Sequence, residues 1–301
     1  MSGRVCLLTF RSLPCLFGSN VSAELKFEFN NLTADCAFFE MHYLQRTGFS
    51  SILDAPDLQC LRDASDISVG CRIDEAAPSI TVPNWLNPTG DHCESSVDDL
   101  SNRDFFWWHV DDEINAANLH KFQSAVEYVQ DASPTQRVVI ITAIGGVPEA
   151  SDSDFESLLW ESEIRVPLWI LKNDAFGSRV QQLTGSDDVT HTICHALEIP
   201  PDRQEQPVGT KRRVNLLSSA SQDDRDLLIE RDGIQSIRTS EFLFVQTVTD
   251  NDDDFGAAPT SALYAKPEDV WNVNDVSTEY HEIADQMQQL IAQRNKPNVS
   301  L

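Results

Sequence analysis

Apolar residues in this chain fall into short continuous runs separated by longer amphipathic stretches. Arg4 to Phe10 (RVCLLTF) reads as a buried strand, because it is short and almost wholly apolar. Leu25 to Asp35 is mixed and can form a helix. Ala37 to Tyr43 reads as extended and offers Phe38 and Phe39 to a core. Asp54 to Asp104 is rich in Asp, Ser, Pro and Cys, has no clear period, and reads mostly as loop. Asp104 to Val110 (DFFWWHV) is a second strand. From Glu113 to Asp131, Leu119, Phe122, Ala125, Val126 and Val129 recur at helical spacing, with Pro134 just beyond. Arg137 to Thr142 (RVVIIT) is β-branched and nearly all apolar, the pattern of a strand covered on both faces. A short helix is expected over Phe155 to Glu161, a strand over Val166 to Leu171 and a helix over Asp188 to Leu197.

Strands alternating with helices predict a three-layer α/β/α core with a mainly parallel sheet, spanning residues 1–205. Beyond it the texture changes. Gln235 to Thr249 (QSIRTSEFLFVQTVT) reads as two strands of a hairpin, and Leu263-Tyr264 as another extended piece. Ser277 to Gln293 places Tyr280, Ile283, Ala284, Met287 and Ile291 on one helical face. Residues 206–301 are therefore expected to form a small C-terminal α+β subdomain. Its last helix should pack on the hairpin or on the main core.

With 301 residues, 41% of them hydrophobic, the chain can support a large core. Its net charge of -26 disfavours nucleic acid and anionic membranes as partners, since carboxylates repel phosphate backbones and acidic headgroups, and neither is expected. No run approaches the roughly 18 apolar residues of a membrane helix. Val5 to Phe10 is interrupted by Arg11 and followed by no small-residue cleavage site, so a core strand is preferred to a signal peptide. The seven cysteines include no C-x-x-C pair, and reduced thiols in a cytoplasmic protein are the simplest account. Cys60 and Cys71 flank a short loop that a bridge can span, a point sequence does not decide.

Candidate sites are few. His191, Cys194 and His195 share a helical face with metal-ligand spacing, but no second ligand cluster is visible to close a site, so a helix that merely carries them is preferred. His109 with Asp111 and Asp112 follows a strand end, where α/β proteins build their sites, but a polar strand-end loop is the preferred reading. Asp250 to Asp254 lacks the Gly and spaced acceptors of a calcium loop, and Lys211-Arg212-Arg213 reads as a surface run. No phosphate loop, dinucleotide fingerprint or G-x-S-x-G elbow occurs.

Several segments, in order, resemble the sulfatases of the alkaline-phosphatase superfamily. Thr9-Phe10-Arg11-Ser12-Leu13 stands where that family has T-x-D-D-L, and Gly18-x-Asn20 is similar to its following turn. Phe29 to Ala34 (FNNLTA) resembles F-D-R-L-A, and Asp104 to Val110 resembles P-F-F-L-W-I-H. Val138 to Gly146 (VVIITAIGG) resembles V-V-I-T-S-D-H-G, and Glu163 to Leu168 resembles E-x-I-R-V-P-L. Asp188-Val189-x-x-Thr192 resembles D-L-x-P-T, and Ile237-Arg238-Thr239-x-Glu241-Phe242 resembles I-R-T-x-E-W. Leu263-Tyr264 with Lys266 to Asp269 resembles the family's last motif. The family's core is normally longer, so this member is identified as shortened.

The resemblance implies a divalent metal, held by the paired Asp after the first strand and by the Asp of the T-S-D-H-G turn. Hard cations need such oxygen ligands. Here those positions are Arg11, Ser12 and Ile144, and Gly145 replaces the turn's His. The nucleophile motif C-x-P-S-R is also missing. Aligning Thr47-Gly48 with its trailing T-G puts Phe38, Glu40, Met41 and His42 on its working positions. The expectation is therefore a degenerate member that has lost ester hydrolysis and acts by binding a small anion or another protein. Thr9, Arg11, Ser12, His109, Thr142, Ile144 and Gly145 would be remnants of the site, with no confident catalytic residue and no cofactor. A divergent hydrolase with a relocated calcium or magnesium site is the alternative.

Overall fold

The computed structural model describes residues 4–14, 21–34, 36–45, 67–74, 103–131, 137–145, 164–172, 177–199, 213–218, 225–231, 233–247, 261–269 and 272–295. Strands β1 (Arg4–Ser12), β2 (Ala37–Tyr43), β3 (Val69–Asp74), β4 (Phe105–Glu113), β5 (Arg137–Ala143), β6 (Leu168–Leu171) and β7 (Ser178–Gly185) form one sheet in the order β3-β4-β1-β5-β6-β2-β7. Every pairing is parallel except those of β6, which runs antiparallel to both β5 and β2.

Alternation along the strands divides the core. Cys6, Leu8 and Phe10 of β1 and Val139 and Ile141 of β5 face helices α1 (Ala23–Ala34) and α2 (Leu119–Asp131), which contribute Leu25, Phe29, Phe122 and Val126. Val5, Leu7, Trp107 and Ile140 face the other way, toward Val189, Ile193 and Cys194 of α3 (Ser186–Ala196). This is the mixed α/β, three-layer architecture of the alkaline-phosphatase type. Trp169 anchors the first layer: it stacks on Phe38, meets Phe29 edge-on at 5.0 Å, and donates its indole N–H to Thr33 Oγ1. Such rings prefer offset or edge contacts, and a buried indole N–H needs an acceptor.

A second, antiparallel sheet has the order β11-β10-β9-β8, built from β8 (Asp226–Arg231), β9 (Ile234–Thr239), β10 (Phe242–Thr247) and β11 (Ser261–Ala265). One face packs Leu227, Ile229 and Leu243 against Tyr43 and Leu183 at the end of the main sheet. The other holds Ile237, Phe244 and Leu263 against Met287 and Ile291 of α4 (His281–Arg294), with Ile283 alongside. The hairpin and the terminal helix thus pack as their apolar stripes require. Arg238 spans the join: fully buried, it donates Nε–H to the Tyr43 hydroxyl at 3.2 Å and lies over that ring.

Four expectations are corrected. Val69–Asp74, within the stretch read as loop, is edge strand β3. The helix read from Glu113 begins at Leu119, because β4 continues through Glu113. Val166-Pro167 precede rather than enter β6. Cys71 is disulfide-bonded, which overturns the reading of uniformly reduced cysteines; its partner lies outside the described residues. The helix expected over 155–161, the acidic stretch 250–254 and the 205/206 division also lie outside them.

Cys6, Cys36 and Cys194 are free and buried. Burial pushes the Cys6 thiol up to about 12, against a smaller opposing pull from the Arg137 charge. Thiolates, not thiols, react. Peptide mapping after alkylation of native protein is expected to find these three unmodified, and Cys71 modified only after reduction. Ready labelling of Cys71 in native, unreduced protein would contradict the bridge.

Candidate strand-end site

β1 lies between β4 and β5, in parallel with both, with Thr9 opposite His109 on one side and Thr142 on the other. These three residues therefore form one polar row on the α3 face of the sheet. Strand alternation puts the next residues of that face, Arg11 and Asp111, at the C-terminal strand ends. The register of β1 against β4 shifts between Phe10 and Ser12, so Arg11 stands opposite both Asp111 and Asp112. Such a bulge re-aims side chains at a sheet's rim.

The row is a hydrogen-bond chain. Trp107 donates its indole N–H to Thr9 Oγ1 at 2.8 Å, and Thr9 Oγ1 lies 2.9 Å from His109 Nδ1. A threonine hydroxyl can accept from both rings or donate to Nδ1, so the direction of the Thr9–His109 bond follows the imidazole tautomer, and the ring's far nitrogen is Nε2. That nitrogen faces Asp111 Oδ1 at 3.7 Å, and Arg11 Nε lies 3.7 Å from the same oxygen. Order and spacing resemble a hydroxyl–imidazole–carboxylate relay. Its burial does not: Thr9 is 1% and His109 0% exposed. Burial first, then the Arg11 charge, holds the His109 pKa down to about 4.

The remaining positions flank this chain. Ile144 N donates to Phe10 O at 2.9 Å, so Arg11 and Ile144 terminate adjacent strands. Gly145 O accepts from Leu13 N, and a Cβ on Gly145 would stand 3.1 Å from Arg11 O. Thr142 donates to Pro167 O at 3.0 Å. Ser12 is buried and its carbonyl accepts from Ile114 N. Of the seven predicted positions only Arg11 presents a largely open side chain, 54% exposed.

This donor set does not fit a hard divalent cation. Its one carboxylate, Asp111, already faces Arg11, whose fixed charge would oppose a metal, and Ile144 offers no lone pair. Among the described residues no three His, Cys, Asp or Glu converge on a common point. Cys194 is in the core while His195 is exposed, so the helical trio does not converge either. Phe38 to His42 lie within β2 rather than in the first turn of a helix, where a nucleophile would be activated.

Sequence reading missed a second polar centre, at the mouth of β2 and β7. Asp188, fully buried in the first turn of α3, accepts from Gly185 N at 2.8 Å and from Val214 N at 2.8 Å. Arg225 clamps both its oxygens, at 2.7 and 3.0 Å. Thr192, one turn on, accepts from Leu216 N. Gln45 fills the adjoining space, donating to Leu228 O and accepting from Asp187 N. A Cβ at position 185 would stand 2.3 Å from Gln45 Oε1, so a larger residue there would displace the Gln45 side chain. The Asp188/Thr192 signal was visible in sequence. Arg225 was not, because nothing local marks it.

No protein-family model matches the sequence, and no curated protein sequence matches it. Solved structures do. A putative sulfatase, yidJ, from Bacteroides fragilis matches with a TM-score of 0.66 at 9% identity over 98% of this chain and 96% of the other. An alkaline phosphatase superfamily protein from Vibrio parahaemolyticus matches at 0.56 and 11% identity, over 98% and 89%. BT4656, solved with D-glucosamine-2-N,6-O-disulfate, matches at 0.62 and 9% identity, over 97% of both chains. The chain has the sulfatase fold of the alkaline phosphatase superfamily. Among the described residues no helix is long and apolar enough to cross a membrane.

Proposed function

We propose that this is a sulfatase-fold protein without ester hydrolysis, which acts by binding through the ends of β1, β4 and β5 or as the partner of another protein. The observation that carries this reading is Arg11. Where metal-dependent hydrolysis needs a carboxylate pair, a half-exposed guanidinium stands 3.7 Å from the neighbouring carboxylate. Charge withdrawal by a cation and an activated nucleophile are both needed for the chemistry. Arg11, Ser12, Ile144 and Gly145 supply neither. Thr9 and His109 have suitable groups but are enclosed by the core, where a substrate cannot reach them.

Arg11 suits a small anion, and its contact with Asp111 is long enough to be exchanged for a ligand oxygen. The sulfated glucosamine bound by one structural neighbour makes that sugar the first probe to titrate. Nucleic acid and anionic membranes are disfavoured by the charge of -26. The half-cystine at Cys71 favours an oxidising compartment over the cytoplasm. We read residues 1–205 as the core domain and 206–301 as its C-terminal subdomain.

Aryl sulfate and aryl phosphate assays with calcium, magnesium, manganese or zinc are expected to give no turnover above background. The Arg11→Ala/Ser12→Ala double variant should match the native protein. Turnover that follows the metal and disappears in this variant would instead establish the alternative, a divergent hydrolase with a relocated metal site.

A further inference from the structure

On the opposite face of β4 from His109, a cleft of about 450 Å³ opens between β3, β4 and the first turns of α2. Its volume falls in the usual range for small-molecule sites. Trp108 forms part of its wall, held edge-on to Tyr128 at 5.7 Å. Arg72 stacks on Trp108, with its guanidinium carbon 5.0 Å from the ring centroid. Asp74 locks both: Oδ1 accepts from Arg72 Nε at 2.5 Å, and Oδ2 accepts from Trp108 Nε1 at 2.9 Å.

This arrangement fixes the guanidinium plane through Nε alone and leaves its outer edge, with both Nη groups, for a planar acceptor. Both Asp74 oxygens are engaged, and Asp112 is held by Lys121 at 2.7 Å, so neither carboxylate is poised for a cation. Lys121 and His120 stand in the first turn of α2, which carries no acidic residue. The positive end of that helix adds to the field of Arg72. Val110, Ala125 and the Tyr128 ring supply an apolar wall beside these donors, with Ser124 at the rim.

We propose that this cleft binds a small organic oxyanion: a carboxylate, sulfate or phosphate carried on a ring or short apolar body. The anion sits on the Arg72 edge, where paired N–H groups match two oxygens of an oxyanion. The body lies against Val110, Ala125 and Tyr128. The site is separate from Arg11, which belongs to the other face of the sheet.

Binding is tested by isothermal titration with benzoate, phenyl sulfate and phenyl phosphate, and with benzamide as the neutral match for benzoate. Saturable binding of at least one anion is expected, with benzamide weaker by about tenfold or more, the worth of a charge-assisted hydrogen bond. Arg72→Gln should weaken that anion by a similar factor, and should do so equally in an Arg11→Ala background, where the strand-end anion site is absent. Ser124→Phe alters an exposed helical position and fills the rim, so it should block binding even if Arg72→Gln fails to fold. No saturable binding by any anion, equal binding of benzamide, or a loss that follows Arg11 rather than Arg72 or Ser124 would overturn the proposal.

Discussion

Replacing Arg225 with Met is expected to destabilise the protein by about 3–5 kcal/mol, the usual loss when one member of a buried ion pair is removed. Asp188 is 0% exposed, and its two oxygens receive Arg225 together with the backbone N–H groups of Gly185 and Val214. Without Arg225 the carboxylate keeps its burial but loses its charge partner. Asp188→Ala should cost a similar amount by the reverse route, stranding the guanidinium and two amides. The double variant Asp188→Leu/Arg225→Met should recover part of the loss, because no buried charge is then left uncompensated. Urea unfolding of the four proteins gives the comparison, and with about 5–15 kcal/mol of total stability to lose, the single variants should be easily distinguished. A change below about 1 kcal/mol in both single variants, as for an exposed pair, would mean that the pair is solvated and does not join α3 to β8.

Acid should destabilise this protein before its carboxylates titrate. His42 is fully buried, and burial holds its pKa down to about 3; His109 is held to about 4 by burial and then by Arg11. Both values lie below the ordinary histidine value of about 6.5. Between each lowered value and about 6.5 the unfolded chain takes up a proton at that site and the folded chain does not. Stability is therefore complete above about pH 6.5 and falls as pH drops toward 4. At pH 5.5 each ring contributes on the order of 1 kcal/mol of loss. His42 Nε2 has no hydrogen-bond partner, and Nδ1 reaches only Thr184 Oγ1 at 3.3 Å, so nothing within the pocket stabilises an imidazolium. The lowered pKa values of Asp104 and Asp275 contribute in the same direction but at lower pH. Unfolding free energies at pH 7.5, 6.5, 5.5 and 5.0 provide the test, with His42→Gln expected to remove about half the slope. A flat profile through this range would mean that both rings protonate freely in the folded state.

The strand ends were legible in sequence to a useful depth. Thr9, Arg11 and Ser12 could be set against Ile144 and Gly145 because the apolar runs RVCLLTF and RVVIIT read as buried strands and the sulfatase resemblance matched their ends. That these strands are adjacent follows from their register, Thr9 opposite Thr142. The function of His109 was not legible. A histidine after DFFWW can be a strand-end donor or a core residue. Only the pairing with Thr9, the indole of Trp107 and the closure of α3 over this face place it in the core, neutral and inaccessible.

The sequence by itself determined the elements whose signal is local: the apolar runs of β1, β4 and β5, the 3.6-residue stripes of α2 and α4, the hairpin of β9 and β10, and the absence of a carboxylate at positions 11, 12 and 144. Tertiary structure decided the rest. β7 (SRVQQLTG) is an edge strand whose first half is largely solvent-facing, so it has no apolar run to betray it, and β3 is a short edge strand of the same kind. The antiparallel insertion of β6, the Asp188–Arg225 clamp and the Arg72–Trp108–Asp74 lock each join residues far apart in the chain. Periodicity reports which face of an element is buried. It carries no information about which distant side chain meets that face, and the charge partners and burial that set the chemistry depend on that meeting.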